Sequence, residues 1–114
     1  MMQGHSRLTK KRDFREAYKK GTVFKNKYLV IWKLKKENSG KTRIGYSVGK
    51  KLGNAVERNR LKRILKEACR RKEKEIKLGY DLIILARGPV KKKNFSEAQE
   101  ALLDVFTKAE CLKK

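Results

Sequence analysis

The chain has 114 residues, enough for a single domain that buries a core without disulfide staples. Lysine and arginine number 33 against 12 aspartate and glutamate, a formal net charge of +21. Self-repulsion at that charge opposes folding unless an anionic partner is at hand. Nucleic acid meets that need before a membrane does: no run approaches the roughly 20 apolar residues of a spanning helix.

Residues 1–10 carry no periodicity and read as a flexible basic N-terminus; MMQGHSRLTKKRDF lacks the apolar segment of a secretory signal. Residues 11–110 read as one domain. In KRDFREAYKK, residues 11–20, the side chains of Phe14, Ala17 and Tyr18 share one helical face, and Gly21 follows two lysines as a stop. Residues 22–36 contain the β-branched and aromatic run YLVIWKL, which places Tyr28, Val30 and Trp32 on one face and Leu29 and Ile31 on the other. ENSG at 37–40 is a turn signal. TRIGYSV at 42–48 predicts a further strand, paired antiparallel with the run before it. Residues 55–77 predict the longest helix, with Leu61, Ile64, Leu65 and Ala68 as its inner stripe. YDLIILAR at 80–87 is apolar on both faces, which predicts a central strand parallel to a neighbour. GPVKKKN is a loop. A last amphipathic helix covers residues 95–108, with Ser96 as N-cap, Gln99 three residues on, and Ala98, Leu102, Val105 and Phe106 as its stripe. The order is helix, two or three strands, helix, strand, helix, which with three strands is the α-β-β-β-α-β-α of an α+β two-layer sandwich, a sheet on one side and helices covering it.

Enzyme chemistry is poorly supplied. The one histidine, His5, lies near the N-terminus, and Asp13, Asp81 and Asp104 are scattered and better explained by caps and ion pairs than by a metal cluster. No P-loop, dinucleotide turn or nucleophile elbow is present. Cys69 and Cys111 have neither zinc-site spacing nor a disulfide framework and read as reduced thiols in the cytoplasm.

Phosphate binding is richly supplied. Lys50, Lys51, Arg58, Arg60, Lys62, Arg63, Lys66, Arg70, Arg71, Lys72 and Lys74 face only three glutamates between positions 50 and 74. From Arg70 onward the run reads as a solvated face. Across Gly53–Arg63, glycines and a helix N-terminus add backbone donors for phosphate. Neutralising about six phosphates gives a log–log salt slope of about −4 to −5. Phe14, Tyr18 and Trp32 are either core or a groove that stacks unpaired bases, and single-stranded RNA suits the pattern better than duplex DNA.

The block GNAVERNRLKR, with Lys50-Lys51 before it and Arg58-Asn59-Arg60 at its centre, resembles the signature of the bacterial ribonuclease P protein family. RLTKKRDF, KGT, YLVIW, IGYSV and DLIILAR follow in the family's order, so the likeness covers about residues 7–108. The resemblance implies a fold like that of ribosomal protein S5 domain 2, with a left-handed βαβ crossover where spacing alone predicts a right-handed one. It implies a protein subunit that assists Mg²⁺-dependent catalysis by ribonuclease P RNA, removing the 5′ leader of precursor tRNA, and broadens substrate specificity. Membrane and further protein partners are not implied. By position, Lys50, Lys51, Arg58, Asn59, Arg60, Lys62, Arg63 and Lys66 contact the RNA subunit. Phe14, Tyr18, Val30, Trp32 and Ser47 line the leader cleft; catalytic and metal-ligating side chains are not expected. Gly49 replaces a frequent Ser of the family, and Lys66 a frequent Arg, which loses a bidentate contact. The competing reading is a structural RNA-binding protein or RNA chaperone with no leader to hold; a protein nuclease acting alone lacks a catalytic cluster.

Overall fold

The computed structural model describes residues 5–36 and 40–113. Among them are five strands, β1 (His5–Arg7), β2 (Thr22–Lys25), β3 (Leu29–Lys35), β4 (Thr42–Ser47) and β5 (Tyr80–Ala86), and three α-helices, α1 (Lys11–Lys20), α2 (Ala55–Arg71) and α3 (Phe95–Lys108). The bounds of α1 and α3 are those the apolar spacing predicts. Three other expectations are corrected. Residues 5–10 are part of the fold: β1 pairs with β4, and Leu8 is buried; residues 1–4 lie outside the described residues. Helix α2 stops at Arg71, not near Lys77. A 3-10 turn, Glu73–Glu75, follows it, and buried Ile76 leaves the helical path to bridge Leu112. The N-cap of α3 is Asn94, whose side chain accepts from Glu97 N at 2.9 Å, so the cap lies two residues before Ser96. Most of the expected turn at 37–40 lies outside the described residues.

The sheet order is β1-β4-β5-β3-β2. β4 does not pair with β3. The doubly apolar β5 enters between them, antiparallel to β3 and parallel to β4, while β4 also pairs parallel with β1. A strand apolar on both faces gains most from the centre, and that preference overrides the short β3–β4 connection.

Leu29, Ile31, Ile44, Leu82 and Ile84 project from one face into a core with Leu61, Leu65 and Ala68 of α2 and Leu102, Val105 and Phe106 of α3. The expectation that all helices cover one face is corrected by α1, which lies across part of the other, where Ala17 and Leu8 bury Ile83 and Phe14, Trp32 and Leu34 pack around them. The β4-α2-β5 connection is left-handed. Ile44 points at α2 while its carbonyl accepts Leu8 N–H from the β1 side at 3.0 Å. For an L-residue on an upward strand seen from the helix side, that carbonyl points right. β1 therefore lies to the right of β4 and β5 to the left, with α2 crossing in front.

Candidate nucleic-acid interface

Helix α1 lies across part of its face of the sheet, and the candidate leader cleft is the face beside it. Three rows of that face follow from the register: Leu34, Asp81 and Arg43; Trp32, Ile83 and Gly45; Val30, Leu85 and Ser47. Phe14 sits over the second row. A Cβ at Gly45 would come within 2.5 Å of Phe14 Cζ, so the absent side chain is what seats the ring on the sheet. Tyr18, one turn on, meets the edge of Trp32 at 4.7 Å between centroids in a T-shaped arrangement and lies 6.2 Å from Phe14. These rings are neither pure core nor free surface: Phe14 and Trp32 are half-buried, and Tyr18 is 40% exposed. Val30 is buried and Ser47 half-buried, so Val30 forms floor beneath the open surface. Tyr28 leaves the group: it precedes β3 and packs against the opposite core.

Sequence reasoning missed Leu85, which lies between Val30 and Ser47. Its place in a run apolar on both faces hides which residues face the cleft. Val23 (49% exposed), across from Trp32, extends the same face toward the β2 edge.

The basic block begins three residues beyond Ser47. Lys50 and Lys51 stand exposed on a 3-10 turn, Lys50–Leu52. Gly53 then takes φ +132°, and Asn54 caps α2 in a reciprocal box: Glu57 N donates to Asn54 Oδ1, and Asn54 N to Glu57 Oε1, both at 2.9 Å. Two backbone donors expected to meet phosphate are thus already used, and the Glu57 carboxylate occupies the positive end of the helix. Charged side chains, more than the helix terminus, supply the anion-binding capacity here.

Those side chains form two groups. Arg60 and Arg63 are exposed on the crown of α2, with the uncharged Asn59 exposed beside them. Arg58, Lys62 and Lys66, spaced by four, run half-buried along one flank, and Arg58 Nε is buried with no hydrogen-bond partner. Burial, with the neighbouring charges of Arg7 and Lys62, pushes the Lys66 ammonium below its ordinary value. Among the described residues none of Arg58, Arg60, Lys62 and Arg63 forms a salt bridge. Arg70 and Arg71, by contrast, converge on Glu67 at 2.6 and 3.0 Å and hold its carboxyl down at about 2, while Arg71 also lies over the Phe95 ring. The basic run therefore changes character between Lys66 and Arg70, where the expected solvated face proves to be cations paired on Glu67. The loop GPVKKKN contributes what sequence reasoning missed: Lys91 and Lys92 line a cavity of about 290 Å³ with Glu57, Arg60 and Leu61. No local spacing signals this neighbourhood: residues Gly88–Lys92 form a 3-10 turn that packs on the Lys50–Leu52 turn and so lies beside the start of α2.

Among the described residues no three His, Cys, Asp or Glu side chains gather as a metal site. Asp13 and Asp81 share Arg43, and Asp104 is held by Asn26 and Lys108. Burial pushes the Cys69 thiol up to about 12 and Cys111 to about 11, so neither is a nucleophile near neutral pH. Within the described residues no helix is long and apolar enough to cross a membrane.

The sequence profile of the Ribonuclease P family matches residues 2–110. The ribonuclease P protein component of Oceanobacillus iheyensis is 41% identical over 112 residues, covering 98% of this chain and 93% of the relative. That of Bacillus velezensis is 39% identical over 99% of this chain and 97% of its own. Among solved structures, the RNase P protein of Staphylococcus aureus superposes with a TM-score of 0.88 at 36% identity, covering 94% of this chain and 97% of that one. The Thermotoga maritima protein gives 0.82 at 31% identity, over 90% and 96%. The chain belongs to the ribonuclease P protein family, as the protein subunit of a tRNA-processing ribonucleoprotein endoribonuclease whose other component is ribonuclease P RNA.

Proposed function

We propose that the two surfaces divide the work. Lys50, Lys51, Arg58, Asn59, Arg60, Lys62, Arg63 and Lys66, extended by Lys91 and Lys92, dock the ribonuclease P RNA. The cleft between α1 and the sheet, with Phe14, Tyr18 and Trp32 as stacking faces and Val30, Leu85 and Ser47 as floor, holds the single-stranded 5′ leader of precursor tRNA. One observation carries this reading: the floor row ends at Ser47, three residues before the first lysine of the basic block, so a leader in the cleft emerges beside the catalytic RNA. Aromatic faces bind unpaired bases with little sequence preference, which suits leaders of varied sequence and broadens the substrates accepted. Hydrolysis, with the Mg²⁺ it needs, is assigned to the RNA subunit; the protein binds and orients. The two free, buried thiols accord with a reducing cytoplasm.

The test combines protein, bacterial ribonuclease P RNA and precursor tRNA at low Mg²⁺. Cleavage at the mature 5′ end that neither component gives efficiently alone is the expected result. Absence of stimulation, or cleavage by the protein without RNA, rejects the proposal and leaves a structural RNA-binding role. Arg60→Ala weakens assembly with the RNA, whereas Phe14→Ala weakens binding of precursor more than of mature tRNA.

A further inference from the structure

Arg43 joins three elements that are distant in sequence. Its Nε and Nη2 donate to the two carboxylate oxygens of Asp81 on β5 at 2.8 and 2.7 Å, a bidentate fork, while Nη1 donates to Asp13 in the first turn of α1 at 3.1 Å. Asp81 is buried and Asp13 half-buried. Such a triad is weak ground for stability, since apolar residues of similar volume pack as well without the desolvation cost. What it gives is direction: a planar fork held on one carboxylate through Nε and Nη2 aims Nη1 at one point. That point is Asp13, the residue before Phe14. On β4 the same face carries Arg43, Gly45 and Ser47 in succession, about 6.5–7 Å apart. The first ties down α1, the second seats Phe14, and the third belongs to the open floor.

We infer that Arg43 is a positioning residue for the leader cleft: through Asp13 it clamps the first turn of α1 to the central strand and holds Phe14 on Gly45 as the cleft wall. This rests on the leader reading of the cleft. Ala17 packs the middle of α1 on Ile83, Glu16 pairs with Lys36 at 2.9 Å, and Tyr18 meets Trp32; the ion fork is what holds the first turn, where Phe14 stands. The clamp touches neither the basic block nor any surface assigned to the catalytic RNA, so its loss is selective.

The experiment uses the protein reconstituted with ribonuclease P RNA and measures binding of precursor and mature tRNA, with Phe14→Ala as reference. Asp13→Asn keeps shape and spares the buried Arg43–Asp81 fork, so it tests the clamp without endangering the fold; Arg43→Gln is the stronger variant. Each is expected to weaken precursor binding by roughly fivefold. Mature tRNA binding and RNA assembly stay unchanged, and the deficit vanishes on a precursor whose leader is a single nucleotide. Added to Phe14→Ala, Asp13→Asn has no further effect, because both act through one ring. A loss shared by mature tRNA, an additive double variant, or no loss overturns the inference. If Phe14→Ala shows the precursor-specific deficit and the clamp variants do not, the clamp alone falls. If Phe14→Ala shows none, the leader reading falls and the clamp with it.

Discussion

Gly53 stands at φ +132° and ψ −170°, a conformation that residues bearing a Cβ rarely adopt, and a Cβ there would also strike the Glu57 side chain. The sequence suggests that this glycine lets phosphate approach the backbone. Its geometry serves a nearer purpose, letting the chain turn into Asn54 and admitting the carboxylate that caps α2. Gly53→Ala is expected to cost about 1–3 kcal/mol, the range for a side chain forced into such backbone, measured as the shift in a denaturation midpoint. A midpoint like that of the parent would mean the loop relaxes freely and the cap does not depend on it. Gly45 is the opposite case, with ordinary backbone and an exacting neighbour, since its bare Cα is the seat of Phe14. Neither role is legible in the sequence alone, because a glycine there records only that a side chain is missing, not which group fills its place.

Strand β1 is three residues long and has no periodicity of its own, so the sequence offers no reason to expect it. Leu8, which follows it, donates its N–H to Ile44 and is buried among Ala17, Ile83 and Phe14. If residues 1–10 were a flexible tail, Leu8→Ala would be silent. Here it is expected to cost about 2–4 kcal/mol in chemical denaturation, the range for a buried leucine truncated where the site collapses only partly. The readable elements are those with local signals: the stripe of Phe14, Ala17 and Tyr18 sets the bounds of α1, and Leu82–Leu85 marks β5 as central. What stays hidden depends on partners far along the chain. Past the end of α2, Ile76 leaves the helical path to pair with Leu112, and β4 yields its place beside β3 to a strand that comes some 35 residues later. At the site, the basic block is readable because it is contiguous, whereas Lys91, Lys92 and Leu85 join the two surfaces only through packing.

The whole molecule is asymmetric in charge. Several of its carboxylates are spent in ion pairs with neighbours, as at Asp13, Glu16, Glu67 and Asp81; along α3, Glu97 and Asp104 pair with Lys93 and Lys108, and Glu100 stands exposed between them in the chain. The crown of α2, the turn at Lys50–Leu52 and the loop of Lys91 and Lys92 are left with cations in excess. On the proposed docking, a +21 chain built this way meets a polyanion with α2 first and α3 turned outward, and long-range attraction sets that orientation before contact. Two measurements follow from the same field. Sulfate, and more strongly ribonuclease P RNA, raises the melting temperature, because each binds the folded arrangement of cations and relieves its self-repulsion. Assembly with the RNA weakens with salt at a log–log slope of about −4 to −5 if some six phosphates are neutralised. Arg60→Ala lowers the magnitude of that slope by about one. Glu100→Gln, on the outward helix, leaves it unchanged although it raises net charge. A slope that tracked total charge, moving equally with both substitutions, would mean diffuse attraction without a docking face. A slope that moves only with Arg60 ties the affinity to the basic block at the N-terminal end of α2.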